Sequence, residues 1–220
     1  MFIGHFGIGL GAKKARASVS LGTLFLASQL PDLLWPTFLL LGWEDVAIRP
    51  GITKMAPLDF TYYPISHSLV MTIIWGSILG LGYYLFKKDR RGAIVVGLCV
   101  LSHWVLDFLV HRPDLPLFPW DSALVGLGLW NHPLIEVLLE GGIFVVGLLL
   151  YLQTTRAKNK VGKWAFLALI IFLVLIYIAN LFSSPPPNVT AIAWVGQAQW
   201  LVVLWAYWAD RNRMVKHGST

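Results

Sequence analysis

Six stretches of the chain are apolar for roughly the 20 residues that a helix needs to cross a bilayer: 18–43, 65–86, 92–111, 133–153, 163–182 and 189–209. Ahead of the first lies a shorter apolar segment, Met1 to Ala12, too short to cross by itself. Lys13-Lys14-Ala15-Arg16 follows it like the basic region of a secretory signal. The next apolar run, however, contains Pro31-Asp32 and offers no small-residue cleavage site, so a signal peptide is not expected. The pattern predicts an all-α polytopic membrane protein with about six transmembrane helices and a short N-terminal re-entrant or interfacial helix. Residues 1–220 would form a single integral membrane domain. Ser183-Ser184-Pro185-Pro186-Pro187 reads as a stiff turn between two spans, and no internal repeat or low-complexity tract interrupts the pattern.

Composition agrees with the hydropathy. Hydrophobic residues make up 57% of the 220 and charged residues 13%, against about 25% charge in a soluble domain. So little charge cannot cover a water-facing surface, and the aromatic content excludes disorder. Cys99, the single cysteine, sits inside an apolar run, which excludes a disulfide scaffold and a cysteine-based zinc finger.

The net charge of +6 is a topology signal rather than a nucleic-acid footprint. Fourteen of the 17 Lys and Arg fall in alternate connections: Lys13 to Arg16, Lys87 to Arg91, Arg156 to Lys163, and Arg211 to Lys216. Positive segments stay in the cytoplasm. The C-terminal tail, Asp210 to Thr220, is therefore expected there, with loops 44–64, 112–132 and 183–188 on the outer face. The expected partner is the lipid bilayer, and no nucleic acid is expected.

The remaining ionisable residues are concentrated. His5, His67, His103, His111 and His132 lie in or beside apolar segments, together with Asp32, Asp107, Glu136 and Glu140. An ionisable group in hydrocarbon costs at least about 2.5 kcal/mol, so each is a functional candidate. His103-x-x-x-Asp107 and His111 follow at intervals of four, and His132-x-x-x-Glu136 repeats the spacing, with Glu140 a turn further on. On a helix, that interval places imidazole and carboxylate on one face, as a metal site requires. Counted from the basic clusters at about 1.5 Å per residue, His103, Asp32, Asp107, His67, His111 and Glu136 occupy one slab in the outer half of the membrane. His5 joins them only if the N-terminal segment is a re-entrant half-helix buried against protein.

Plainer roles exist for single residues. An intramembrane histidine can serve as a helix–helix hydrogen bond, and Asp32 can satisfy carbonyls freed at Pro31. Glu140, beside Gly141-Gly142, suits a supporting or packing role as well as a ligand. Arg112 is either an interfacial anchor or an anion clamp, and Ser68 is a helix cap rather than a nucleophile. Trp35, Tyr62 and Tyr63 lie where they could line a pocket mouth.

The order of these residues resembles that of the zinc-dependent phospholipases C and the single-strand-specific nucleases. In those enzymes the ligands run His, Asp, His, HxxxD, His, HxxxE, starting from the N-terminal residue. Here the series is His5, Asp32, His67, His103-x-x-x-Asp107, His111 and His132-x-x-x-Glu136. The chain also looks like a family of bacterial inner-membrane metal-dependent hydrolases, through His5, Leu30-Pro31-Asp32, His67-Ser68 and His103 to Asp107. Both likenesses cover roughly residues 1–140, the half that would carry the metal site; residues 141–220 would add spans and the tail. The resemblance implies that Asp107 bridges two zinc ions, one completed by Asp32, His67 and His103 and the other bound by His5. It further implies a third ion on His111, His132 and Glu136. This chain begins Met1-Phe2, where the soluble enzymes use a processed N-terminus as a ligand. The Met1 amine therefore stays an open position, and the expectation is two or three ions.

The expected function is a membrane-embedded, zinc-dependent phosphoester hydrolase of the inner membrane, its site toward the outer face. Asp32 would accept a proton from metal-bound water, Arg112 would add positive charge on the leaving side, and a phospholipid or polyprenyl phosphate would be the substrate. The alternative is a non-enzymatic transporter or channel using the same His and carboxylate groups.

Overall fold

Prolines and polar caps set where the helices of this chain start and stop. In the computed structural model, which describes residues 1–120 and 123–216, the described residues form α1 (Ile3–Ala15), α2 (Leu21–Ser28), α3 (Leu30–Leu40), α4 (Pro64–His67), α5 (Leu69–Lys87), α6 (Arg90–Val110), α7 (Pro133–Thr154), α8 (Lys160–Phe182), α9 (Val189–Gln197) and α10 (Gln199–Arg211). The last four residues of the expected cytoplasmic tail lie outside the described residues. Three two-stranded antiparallel pairs join them: β1 (Asp45–Ile48) with β2 (Leu58–Tyr62), β3 (Leu115–Pro116) with β4 (Leu124–Val125), and β5 (Thr155–Ala157) with β6 (Arg213–Val215). A 3-10 turn, Leu129–Asn131, precedes α7.

Five helical segments are long and apolar enough to cross a membrane: α5, α6, α7, α8 and the α9–α10 pair taken as Val189–Arg211. The chain is an all-α polytopic membrane protein. The expected first span, 18–43, instead divides at Gln29 into α2 and α3. Pro31 enters the first turn of α3, where its missing N–H costs nothing, and Ser20 caps α2 by accepting from the Thr23 amide. Polar caps also start α5, α6, α8 and α9. Ser68 accepts from Met71 N, Asp89 from Gly92 N, Asn159 from Gly162 N and Asn188 from Ala191 N.

α1 has 13 residues, about 20 Å at 1.5 Å per residue, and is buried over most of its length. It lies directly on α7. A methyl group at Gly7 would meet the Ile143 carbonyl oxygen at 2.8 Å, so glycine permits backbone-to-backbone contact, as small residues do between helices in lipid. Gly76 and Gly80 of α5 approach α6 in the same way, each within 2.9 Å of a carbonyl oxygen once a Cβ is added. Large apolar side chains such as Ile78, Leu98, Leu138 and Leu175 point outward, where hydrocarbon would meet them.

The basic segments gather at one end. Arg16 bonds Asp89 at 2.9 Å, and Lys13 bonds Asp210 at 2.9 Å. Asp210 also accepts from Tyr151 and from the Leu21 amide, and β5 pairs with β6 there. Hydrogen bonds from Arg16 and the Gly92 amide hold the Asp89 carboxyl down at about 2. Toward the other end lie the β1–β2 hairpin, β3–β4 and the 3-10 turn.

Candidate metal centre

α1, α3, α4 and α6 each bring a ligand-type side chain to one point. α6 is an unbroken helix from Arg90 to Val110, so His103 and Asp107 stack one turn apart on its buried face, 0% and 1% exposed. α1 adds His5, α3 adds Asp32 in its first turn, and α4 ends on His67. Two sets of potential ligands result: His5, His103 and Asp107, and Asp32, His67 and His103. Within each set the donor atoms lie within 4.8 Å of one another.

Asp107 faces both sets. Its Oδ1 lies 3.1 Å from His5 Nε2 and 2.7 Å from the Met1 amino nitrogen. Its Oδ2 lies 3.1 Å from His103 Nε2 and 3.9 Å from His67 Nε2. Asp32 Oδ1 stands 3.4 Å from His67 Nε2 and 3.7 Å from His103 Nε2. The His5 and His103 rings stack with centroids 3.7 Å apart. Asp32 is the open side: its side chain is 25% exposed, against 5% or less for the other four.

The hydrogen bonds around the imidazoles test whether a cation suits this cluster. His103 Nδ1 lies 2.8 Å from the Ser28 carbonyl oxygen, an acceptor, so Nδ1 carries the proton. In the neutral ring, Nε2 then presents a lone pair. That atom has no hydrogen-bond partner although it is buried, and it faces two carboxylates. His67 follows the same logic. Ser66 Oγ donates to Glu44 Oε2 at 2.6 Å and accepts from His67 Nδ1 at 2.6 Å, leaving Nε2 turned toward Asp32 and Asp107. Lone pairs converging on carboxylate oxygens repel unless a positive charge lies between them. Backbone and carboxylate partners on the far ring nitrogen are the usual support of a metal-binding histidine. The donor set, imidazole plus carboxylate, fits zinc.

Glu44 and Ser66 support His67 in the candidate centre, and the sequence analysis missed both. Glu44 is fully buried, and its Oε1 accepts from the Ile65 and Ser66 amides, both at 2.7 Å, capping α4. Burial pushes its carboxyl up, while the bonds from Ser66 pull it down. A serine directly before His67 was a visible hint; nothing near Glu44 in the chain marked it.

Several expected participants stand elsewhere. The third group, His111, His132 and Glu136, is not assembled: no ligand set among the described residues includes any of the three. His111 is the C-cap of α6 with extended backbone angles, φ −62° and ψ 144°. Its Nδ1 bonds Asp114 at 2.9 Å, beside the Tyr63 hydroxyl at 3.3 Å. His132 is exposed and sits outside α7, with φ −125° and ψ 69°. Glu136 is buried and accepts from the Tyr177 hydroxyl of α8 at 3.3 Å. Arg112, expected as an anion clamp, donates to Asp59 and Asp114, and Arg49 pairs with Asp59 as well, so its charge is already balanced. Ser68 caps α5. Trp35 and Tyr63 flank the His67 ring at 6.4 and 5.2 Å, whereas Tyr62 is exposed.

In comparisons with known proteins, no family model, curated protein or solved structure matches this chain.

Proposed function

We propose that the chain is a membrane-embedded, zinc-dependent phosphoester hydrolase with a two-ion centre. The observation that carries this is the pair of three-residue ligand sets that share His103, with Asp107 turned toward both. His5, His103 and Asp107 would hold one ion, and Asp32 and His67 would complete the other. Paired divalent ions supply activated water and neutralise charge on a phosphoryl group. The order of the ligands, resembling that of zinc-dependent phospholipases C, supports phosphoester chemistry.

The chain's own residues then have defined tasks. Glu44 and Ser66 fix the ring of His67, and the Ser28 carbonyl fixes that of His103. Asp32, the exposed member, accepts the proton of the attacking water at its carboxylate. As the phosphorus–oxygen bond to the leaving alcohol breaks, that proton passes to the departing oxygen. Arg112 has no part in this scheme, because Asp59 and Asp114 already engage it.

The basic end would face the cytoplasm and the centre the outer half of the bacterial inner membrane, which favours a lipid-borne phosphoester. Two experiments test the reading. Protein purified without chelator should hydrolyse bis(p-nitrophenyl) phosphate or phosphatidic acid, lose the activity to chelator and regain it with zinc. Retained zinc without turnover of either substrate would sink the hydrolase and favour a transport site. On intact cells, a membrane-impermeant thiol reagent should label a cysteine at exposed Lys54 and miss one at exposed Lys160. The reverse pattern would turn the centre toward the cytoplasm.

A further inference from the structure

α1 begins without a cap of its own. Phe2 precedes it, no side chain within the helix accepts from its first amides, and its first turn has no acidic residue. An uncapped N-terminus leaves up to four N–H groups without partners, and here Ile3, Gly4, His5 and Phe6 are buried away from water. The acceptor comes from another helix. Glu140 of α7 takes both the Phe2 and the Gly4 amide on its Oε1, the latter at 3.0 Å. A Cβ added at Gly4 would press on Met1 Sδ at 2.9 Å and only touch Glu140 Cγ at 3.4 Å.

Glu140 is itself held. Its carboxyl lies beside that of Glu136, one turn earlier on α7 and within hydrogen-bonding reach of it. The Tyr177 hydroxyl of α8 donates to Glu136 Oε2. Tyr177 of α8, Glu136 and Glu140 of α7 and the first turn of α1 thus stand in a row that ends one residue before His5.

His5 has particular need of such support. His67 and His103 each have Nδ1 anchored, on Ser66 and on the Ser28 carbonyl, whereas His5 Nδ1 is buried without a partner. The place of its ring is set by the stack on His103, by the contact of its Nε2 with Asp107 and by the helix that carries it.

We propose that Glu140 is the positioning residue for His5, acting through the backbone of α1 as a hydrogen-bond acceptor rather than as a charge, with Glu136 and Tyr177 holding it in place. The proposal rests on the reading of His5 as a metal ligand. It also gives α8, outside the half that carries the ligands, a part in the centre.

The test uses the full chain in detergent with cobalt(II) as the probe, comparing Glu140→Ala, Glu140→Gln and His5→Ala. Glu140→Ala removes the acceptor, whereas Glu140→Gln keeps an oxygen for both amides. Glu140→Ala should weaken the cobalt lost in His5→Ala by at least about 10-fold, the scale of supporting-residue changes, and leave the other cobalt in place. Glu140→Gln should stay close to the parent. The double variant Glu140→Ala with His5→Ala should lose no more than His5→Ala alone, since the two changes act on one interaction. In metal-free protein, amide exchange at Ile3 to Phe6 should rise in Glu140→Ala and not in Glu140→Gln. Parent-like cobalt binding in Glu140→Ala would overturn the proposal, as would equal damage from Ala and Gln, or loss of both cobalt ions at once. If the parent binds no cobalt, the metal reading of His5 falls, and the exchange comparison still decides whether Glu140 holds α1.

Discussion

His103 and Asp107 lie a turn apart inside α6, with Phe108, Leu109 and Val110 continuing the helix beyond them. His132 and Glu136 have the same separation in the chain, but only Glu136 is inside a helix. His132 precedes Pro133, and the residue before a proline is pushed out of the helical region by the ring. Its angles, φ −125° and ψ 69°, show this. The helical rule that brings positions i and i+4 together therefore does not apply to the second pair, and His132 ends up exposed while Glu136 is buried against Tyr177. His111 meets a similar fate. α6 stops at Val110, two residues before the Arg112-Pro113 bond, and His111 turns to Asp114 rather than joining Asp107. Four-residue spacing makes a site only where the helix is continuous across it.

The sharpest way to break this contrast is to remove one member of each pair. Asp107→Asn should lower the zinc stoichiometry by at least one and abolish hydrolysis. His103→Ala should weaken the ion it would hold with His5 and Asp107 beyond the roughly 100-fold range of supporting-residue changes. His132→Ala should leave zinc content within error of the parent, and Glu136→Gln, which keeps partners for Tyr177 and Glu140, should nearly do so. Equal losses from His103→Ala and His132→Ala, measured by elemental analysis, would erase the distinction.

A smaller effect should come from the support of His67. Ser66→Ala takes the acceptor from His67 Nδ1 and a donor from Glu44, and should lower zinc affinity by about 10–100-fold without lowering the number of ions bound at saturation. Chelator competition reads the difference. If Ser66→Ala binds zinc like the parent, His67 is oriented by its neighbours Trp35 and Tyr63 instead.

The smallest effect belongs to the basic end, where a half-buried ion pair replaces the buried cluster. The Asp89 carboxyl is held at about 2 in the folded chain, against about 3.9 for a free aspartate. A depressed acid stabilises the fold above its unfolded value and loses that contribution as pH falls toward the folded one. Asp89→Asn keeps the cap on α6 and removes the charge together with the oxygen that accepts from Arg16 and Ser18. Its Tm should lie slightly below the parent's at pH 6, a small gap because water reaches the pair and screens it, and the gap should close by about pH 2. A gap independent of pH would assign the effect to capping.

Much of the fold was legible in the chain. Long apolar runs predicted α5 to α8 and the α9–α10 segment closely, because a bilayer selects helix length and hydropathy directly. The split of 18–43 at Gln29 was harder to see, although Pro31 marked it: hydropathy averages over a break that backbone geometry makes. Within the site, His5, Asp32, His67, His103 and Asp107 were each picked out as ionisable groups in apolar surroundings, a signal that needs no neighbours. The failure of His111 and His132 to join them was written in Pro113 and Pro133, which the spacing argument passed over.

What the sequence determined by itself, then, is the set of spans, the gathering of basic residues into alternate connections, and the identity of the groups too polar for their surroundings. These are properties of single residues or of short windows, and the solvent reads them one segment at a time. Only the tertiary structure decided which polar groups share a centre, that Glu44 and Ser66 orient His67, that Asp59 and Asp114 occupy Arg112, and that Glu140 caps a helix it follows by more than a hundred positions in the chain. Those outcomes depend on where separate helices cross, and the crossings are set by small residues such as Gly7 and Gly76 in contact with backbones distant in sequence. No local pattern carries that information.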